Sequence, residues 1–316
     1  GETYGSISVQ LPASEAVRTS VDHVVLIDTS ASQVGEHRKM GLQALTSFLK
    51  NLPEGHRATV VAVDIAAVPM LEGFAAPQQA ADKALAKLND RFPAGSTNMG
   101  AGLQAASELL KSSQNGSITF IGDGMSSAKL LQIADMETLT KDLRARQIPV
   151  HSFAVGSNKD MQMLGVLGQE TGGFVIRDET SQQSLDAEQV GQLLAKAASK
   201  VVEYPAAVSI NNSELSLLPS RALPLRSDRE TVYLFQGELN SEATLVAGNN
   251  EWKNLKATRT TGNTFLQTIW HNAVATDGLV LGLSGDWMVN LTHQQFENNV
   301  NSMEARGVNA LKQGAF

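Results

Sequence analysis

Oxygen-bearing side chains occupy alternate positions directly after an apolar run near the start of the chain. The stretch VDHVVLIDTSASQVGEH contains Asp28, Ser30 and Ser32, preceded by the β-branched residues typical of a buried strand. Side chains in a loop after a strand can converge, and hard oxygen donors are the ligands that Mg²⁺ and similar cations prefer. A serine that only caps the following helix is the competing interpretation, because serine is a frequent N-cap residue.

Two further segments carry polar side chains at comparable places. FPAGSTNMGAGLQAA has Ser96, Thr97 and Asn98 directly before a predicted helix, and TFIGDGMSSA has Asp123 directly after a predicted strand. Taken separately, Thr97 or Asn98 could be an N-cap, and Asp123 could begin an ordinary turn. Taken together, the three segments place oxygen donors on three loops.

These loops need a scaffold that brings them to one edge, and short apolar runs supply it. The predicted strands are HVVLID (His23–Asp28), TVVAVD (Thr59–Asp64), SITFIGD (Ser117–Asp123) and VHSFAVG (Val150–Gly156). Segments with helical spacing separate them, including Gln79–Leu88, Ala134–Arg146, Met161–Gln169 and Ser181–Lys200. This alternation predicts an α/β fold with a doubly wound, mostly parallel sheet, in which ligands bind beyond the carboxyl ends of the strands.

The pattern changes after Lys200. Segments such as ETVYLFQGEL alternate polar and apolar residues and are separated by turn signals, which predicts a small antiparallel β-sandwich over residues 205–268. The N-terminal GSISVQL has the same alternation and is expected to add a strand to it. The predicted division is an N-terminal strand segment (1–20), an α/β domain (21–203), a β domain (204–287) and a helical tail (288–316).

Composition excludes several classes of function. With 316 residues and a net charge of −7, the chain lacks the basic balance of a protein that binds nucleic acid. It has no cysteine, so zinc–thiolate sites, disulfides and thiol nucleophiles are excluded. The six histidines show no spacing typical of a zinc site. No apolar run is long enough to span a membrane.

The motifs DTSAS, GSTN and GDG together resemble the von Willebrand factor A (VWA) family. Its metal-ion-dependent adhesion site, the MIDAS, has the pattern D-x-S-x-S, then Thr, then Asp on successive loops, and all five positions are filled here. The resemblance covers roughly residues 21–200 and implies a Rossmann-like fold. It also implies that Ser30, Ser32 and Thr97 coordinate the cation directly or enter its shell, while Asp28 and Asp123 act largely through water.

The resemblance also implies a function. A cation held mainly by neutral hydroxyls keeps much of its charge and leaves a position for an outside carboxylate. We therefore expect a non-enzymatic adhesion or assembly module that binds Mg²⁺, or Mn²⁺ or Ca²⁺, and an Asp or Glu of a partner protein or of a second copy. LPLRSDRETVYLFQGEL (Leu223–Leu239) is similar to β-sandwich stretches beside VWA domains in planctomycete-type secreted proteins. The favoured location is accordingly extracytoplasmic, secreted or at a bacterial cell surface.

Three alternatives stay open at this stage. A haloacid-dehalogenase-like phosphatase also has Asp after its first strand and a GDG loop, but its D-x-D motif needs an acid where this chain has Ser30, which cannot protonate a leaving group near neutral pH. A VWA domain can also serve an intracellular complex with an AAA-type ATPase or chelatase. The third alternative is a purely structural module of a surface assembly.

Overall fold

The computed structural model describes residues 2–177, 185–212, 214–240, 242–256 and 264–312. Its strands are β1 (Tyr4–Val9), β2 (Asp22–Asp28), β3 (Arg57–Val63), β4 (Ala67–Pro69), β5 (Gly116–Gly122), β6 (Val150–Ala154), β7 (Val175–Arg177), β8 (Val208–Ile210), β9 (Ser216–Leu218), β10 (Thr231–Gln236), β11 (Leu245–Ala247) and β12 (Asn250–Trp252). Its α-helices are α1 (Glu36–Lys50), α2 (Pro77–Asn89), α3 (Met99–Leu109), α4 (Ile133–Ala145), α5 (Met161–Thr171), α6 (Ala187–Ser199), α7 (Phe265–Ala273) and α8 (Asp286–Lys312). A 3₁₀ turn (Val274–Thr276) follows α7.

The largest sheet has six strands in the order β4-β3-β2-β5-β6-β7. All neighbours are parallel except β4, which pairs antiparallel with β3 at the edge. Side chains of α1, α2 and α6 form one apolar core on one face, and those of α3, α4 and α5 form a second core on the other. These observations confirm the α/β prediction. The strands are continuous apolar runs because both faces of the sheet are buried.

The order of the strands places a crevice at the carboxyl ends of β2 and β5. These two strands are direct neighbours, yet the helix after β2 packs on one face and the helix after β5 packs on the other. The loops after the two strands therefore diverge, which opens a gap at the edge of the sheet where ligands of such folds bind. Asp28 ends β2, and Asp123 directly follows β5.

Two three-stranded antiparallel sheets accompany the α/β part, with the orders β1-β10-β9 and β12-β11-β8. They share one apolar cluster, to which Ile7, Tyr233 and Phe235 contribute from one sheet and Leu245 and Ala247 from the other. The predicted N-terminal strand is confirmed, since β1 pairs with β10 along its whole length. The predicted domain boundaries stay a prediction.

The predicted β range was wrong at its C-terminal end, where α7 begins at Phe265. The apolar residues here recur at helical rather than alternating spacing, and Trp270 and Ala273 pack against Val232 and Leu234 of β10. Helix α8 covers the predicted helical tail as far as Lys312, and α6 covers most of the helix predicted over 181–200, while residues 181–184 and 313–316 lie outside the described residues.

Among the described residues, no helix combines the length and the apolar character that crossing a bilayer requires.

Candidate metal site

The five candidate ligands lie on three loops that meet at the carboxyl edge of the six-stranded sheet. Asp28 is the last residue of β2, and Ser30 and Ser32 follow it in the loop to α1. Thr97 stands just before the N-cap of α3, and Asp123 comes directly after β5. The fold thus brings together all of the residues that the motifs single out.

A series of hydrogen bonds links these five residues through their side chains and one backbone N–H. The Thr97 hydroxyl donates to Asp28, with Oγ1 3.1 Å from Oδ1 and 3.0 Å from Oδ2, and the backbone N–H of Ser30 donates to Asp28 Oδ1 over 2.8 Å. The hydroxyls of Ser30 and Ser32 lie 3.0 Å apart. Ser32 then donates to Asp123 Oδ2 over 2.6 Å. The donor atoms are therefore close enough to surround one small ion.

Helix capping does not account for these hydroxyls. The N-cap of α1 is Gly35, which makes no side-chain cap, so neither Ser30 nor Ser32 caps that helix. Helix α3 is capped by Asn98, whose side-chain oxygen accepts from the N–H of Ala101 over 3.1 Å. The capping alternative is thus wrong for both serines and for Thr97. The Thr97 and Ser32 hydroxyls donate instead to the two carboxylates, and the Ser30 hydroxyl lies against that of Ser32.

The two carboxylates are buried beside neutral groups. Asp28 is 4% exposed and Asp123 is 3% exposed. Asp28 accepts from the Ser30 N–H and the Thr97 hydroxyl, whereas Asp123 accepts from Ser32, the Gln33 amide and the Met125 N–H. Burial raises the pKa of Asp28 to about 6, the negative charge of Asp123 adds to this, and the hydrogen bonds oppose it. The pair carries negative charge that these partners do not neutralise.

Two glycines make room for the carboxylates. A Cβ atom on Gly122 would lie 2.5 Å from Cβ of Asp28, and one on Gly156 would lie 2.8 Å from Cβ of Asp123. Gly156 also has φ +145°, a conformation that residues with a Cβ rarely adopt. Any larger residue at either position would displace a candidate ligand.

Two buried residues near the site were not predicted from the sequence. Gln33 places Nε2 3.2 Å from the carbonyl oxygen of Val155 and 3.4 Å from Asp123 Oδ2, which ties the first loop to the end of β6. Ser126 accepts from the Met99 N–H over 3.1 Å and donates to the Lys129 carbonyl over 2.7 Å. Neither has a distinctive spacing, because both act through neighbours that are remote in the chain.

Asp64 also stands at the carboxyl edge, directly after β3, but its surroundings differ. Its carboxylate forms an ion pair with Arg91 and accepts from the Thr29 hydroxyl over 3.3 Å. The arginine neutralises Asp64 within the chain. This side chain was not predicted as a ligand, and its geometry gives no reason to add it.

The donor set matches a small hard cation. Two carboxylates and three hydroxyls supply only oxygen atoms, the ligand type that Mg²⁺, Mn²⁺ and Ca²⁺ share. Among the residues that the structure describes, no group of three or more His, Asp or Glu side chains is arranged to hold a metal. A cation here would therefore depend on the serine and threonine hydroxyls as well as on the two carboxylates.

About half of the chain matches a known family. Residues 22–176 match the family described as von Willebrand factor type A domain. This segment is a von Willebrand factor type A domain. Domains of this family are generally interaction modules that bind other proteins. None of the curated proteins that were compared with the chain is a significant match.

Solved structures share the fold at low sequence identity. A von Willebrand factor type A protein from Catenulispora acidiphila is 16% identical with a TM-score of 0.53, and the match covers 80% of this chain and 72% of that one. The human COPII-coat protein Sec24c is 16% identical with a TM-score of 0.49, covering 77% and 44%. The ArnB paralog VWA2 from Sulfolobus acidocaldarius is 13% identical with a TM-score of 0.43, covering 81% and 71%. At these identities the first match establishes the fold of the VWA domain and nothing about its ligand.

Proposed function

We propose that the VWA domain is a metal-ion-dependent protein-binding module for adhesion or assembly. Its Asp28, Ser30, Ser32, Thr97 and Asp123 would hold Mg²⁺, or alternatively Mn²⁺ or Ca²⁺, as a complete MIDAS. The observation that supports this most strongly is the series of hydrogen bonds that joins all five residues, one of them through the Ser30 N–H, and that includes two buried carboxylates with neutral partners. A divalent cation would stabilise that buried negative charge.

The same donor set explains why the cation would attract a partner. Three of the five groups are neutral hydroxyls, so the ion would keep a substantial part of its positive charge. Mg²⁺ prefers octahedral coordination by oxygen atoms, so a position that the protein side chains do not fill can take a carboxylate of a second molecule. We therefore propose that the partner presents an Asp or Glu carboxylate, on another protein or on a second copy of this chain.

The antiparallel sheets give this proposal a setting. We propose that they form a β-sandwich domain beside the VWA domain, as in secreted bacterial proteins, and that the protein acts outside the cytoplasm or at the cell surface. The VWA domain would then bind its partner through the carboxyl edge of the sheet. The sheets themselves carry no candidate ligand.

Metal binding is tested first by calorimetric titration with MgCl₂ and MnCl₂. Wild type should bind one equivalent, and Asp28→Ala should lose binding while keeping the wild-type circular dichroism spectrum, because loop-end side chains contribute little to the apolar core. Asp90→Ala is the matched control, since Asp90 is exposed at the C-cap of α2. Equal metal affinity in wild type and Asp28→Ala would refute the site.

Partner binding is tested through Thr97. The resemblance to the family implies that this hydroxyl enters the metal shell as the partner's carboxylate arrives. Thr97→Ala should therefore weaken binding of a partner isolated from the native source more than it weakens metal binding, and EDTA should release that partner without unfolding the protein. Recovery of the same partner from wild type, from Thr97→Ala and in EDTA would place recognition elsewhere, on the sheets after Pro205.

A further inference from the structure

Exposed apolar side chains are concentrated around the candidate metal site. Among the described residues, the large apolar side chains that are clearly exposed number twelve, and six of them lie on the loops at the carboxyl edge or at the start of α4. We call these six the apolar rim: Val34, Ile65, Phe92, Met125, Leu130 and Ile133. The others are scattered over separate elements, which is ordinary for a protein surface.

Four of the six rim residues share loops with candidate ligands, whereas Ile65 lies between β3 and β4 and Ile133 begins α4. Val34 follows Ser32 in the first loop, Phe92 precedes Thr97 in the second, and Met125 follows Asp123 in the third. Phe92 is the most exposed, at 89%, and water contacts nearly its whole ring. An aromatic ring held in water next to a polar site is a recurrent feature of surfaces that bind proteins.

Backbone hydrogen bonds fix these loops to one another. The Ala31 N–H donates to the Gly95 carbonyl over 3.0 Å, and the Asn98 N–H donates to the Asp64 carbonyl, next to Ile65, over 2.7 Å. The Ala128 N–H donates to the Thr97 carbonyl over 3.0 Å. The rim is thus held at a set position relative to the five candidate ligands, as a binding surface with low reorganisation requires.

We propose that the apolar rim recognises the residues on either side of the partner's acidic residue, so that the partner segment is an Asp or Glu flanked by apolar side chains. This inference rests on the proposed metal-dependent function. When apolar flanks cover the rim, they exclude water from the carboxylate and the cation, and attraction between charges strengthens as the surrounding dielectric falls. With polar flanks, water would stay in contact with the rim and would weaken the attraction between the cation and the carboxylate.

The test uses synthetic nine-residue peptides that are labelled with a fluorophore and titrated with the full chain in MgCl₂. One peptide has a central Asp with Leu and Phe on both sides, a second has the same Asp with Ser on both sides, and a third replaces the Asp by Asn between apolar flanks. The apolar-flanked Asp peptide should bind about tenfold more tightly than the Ser-flanked one, as expected for burying one aromatic anchor. The Asn peptide, and all peptides in EDTA, should not bind.

A double variant assigns the preference to the rim. Ile65→Ser combined with Phe92→Ser should remove the preference for apolar flanks while Mg²⁺ affinity, measured by calorimetry, stays at the wild-type value. Leu193→Ser combined with Val274→Ser is the matched control, because these exposed apolar residues lie on α6 and after α7, away from the site. The control should keep the full preference.

The outcomes separate this inference from the proposed function. Absence of Mg²⁺ binding would refute the proposed function, and this inference with it. Mg²⁺-dependent, Asp-dependent binding with equal affinity for Ser and apolar flanks would refute this inference alone. Tight binding of the Asn peptide would also refute it, because the rim would then act without the site. Self-association that is lost in the rim double variant would overturn the choice of partner, since a second copy would cover the rim.

Discussion

The two edges of the parallel sheet both bury charged side chains, but the partners of these charges differ. At the amino edge, Arg226 is fully buried. It forms a two-pronged pair with Asp228, at 2.6 and 2.7 Å, and donates to the carbonyls of Gly172 and Ala197 over 2.9 and 2.8 Å. At the carboxyl edge, Asp28 and Asp123 have only neutral partners.

At the amino edge, buried arginines donate hydrogen bonds to backbone carbonyls at the C-terminal ends of helices. Arg229 donates to the carbonyls of Gly173 and Gly168 over 2.8 and 3.2 Å, at the C-terminal end of α5. The Gly168 carbonyl also accepts from the backbone N–H groups of Gly172 and Gly173, and the negative end of the helix dipole favours a cation here. Burial, followed by the nearby charge of Arg226, lowers the pKa of Arg229 to about 9, which keeps it charged at neutral pH.

This comparison separates structural from functional buried charge. The arginines come from the segment between β9 and β10. Their hydrogen bonds to backbone carbonyls attach the antiparallel sheets to the VWA domain, and all of these partners belong to the same chain. The carboxylates at the other edge have no positively charged partner among their hydrogen-bond donors, and a bound cation would supply one. An opposite charge and helix-end carbonyls compensate the buried arginines within the chain, which indicates a structural role, whereas the buried carboxylates have no such compensation, which indicates a ligand.

The largest effect is expected from Arg226→Met. The substitution keeps much of the side-chain volume but leaves Asp228 without its ion-pair partner and removes one donor each from the carbonyls of Gly172 and Ala197. We expect the free energy of unfolding to fall by about 3–5 kcal/mol, the usual result of removing one partner of a buried charge pair. Urea denaturation followed by circular dichroism measures the loss, and Mg²⁺ affinity below the transition should be unchanged.

An exposed ion pair is the matched control for this variant. Lys111 and Glu108 lie 3.1 Å apart on the surface, and Lys111→Ala should change the free energy of unfolding by less than about 1 kcal/mol. If Arg226→Met behaves like Lys111→Ala, the amino edge does not depend on its arginines. The interpretation of the buried arginines as stabilising residues would then be wrong.

The sequence predicts the carboxyl edge far better than the amino edge, for a physical reason. Asp28, Ser30 and Ser32 directly follow a strand, so local periodicity and spacing are enough to place them. Arg226 and Arg229 lie in a segment whose alternation predicts only β structure, and their partners are carbonyls of residues 168–173 and 197. Backbone carbonyls have no sequence signature, so such contacts become visible only in the folded chain.

Histidines give the next largest expected effect, through pH. His56 places Nε2 3.0 Å from the Arg18 carbonyl, and since a carbonyl only accepts, this nitrogen carries the proton. His56 Nδ1 therefore accepts from His23 Nε2 over 2.9 Å. Burial, and then the proximity of His56, lowers the pKa of His23 well below 6.5, so the folded protein holds it neutral.

The sign of the pH dependence follows from this. Below about pH 6.5 the unfolded chain binds a proton at His23 that the folded chain excludes, so stability is present above that pH and is lost as the pH falls. The contribution is about 1.4 kcal/mol per pH unit for one such histidine. Urea denaturation between pH 8 and pH 5 should show the loss of stability. His23→Leu should reduce the slope of the free energy of unfolding against pH by the amount that corresponds to one bound proton.

The smallest effect is expected from Asp64→Asn, which compares Asp64 with Asp28 at the same edge of the sheet. Asp64 stands at the end of β3 much as Asp28 stands at the end of β2, but Arg91 already neutralises it. Asp64→Asn keeps the shape of the side chain and a hydrogen-bonding oxygen, so the free energy of unfolding should fall by only about 1 kcal/mol. Because Asp64 has no charge left to offer a cation, Mg²⁺ affinity measured by calorimetry should stay within about twofold of wild type, whereas Asp28→Asn should abolish it. Loss of Mg²⁺ binding in both variants would show that position at the edge, rather than the absence of a neutralising partner, decides which carboxylate serves the metal.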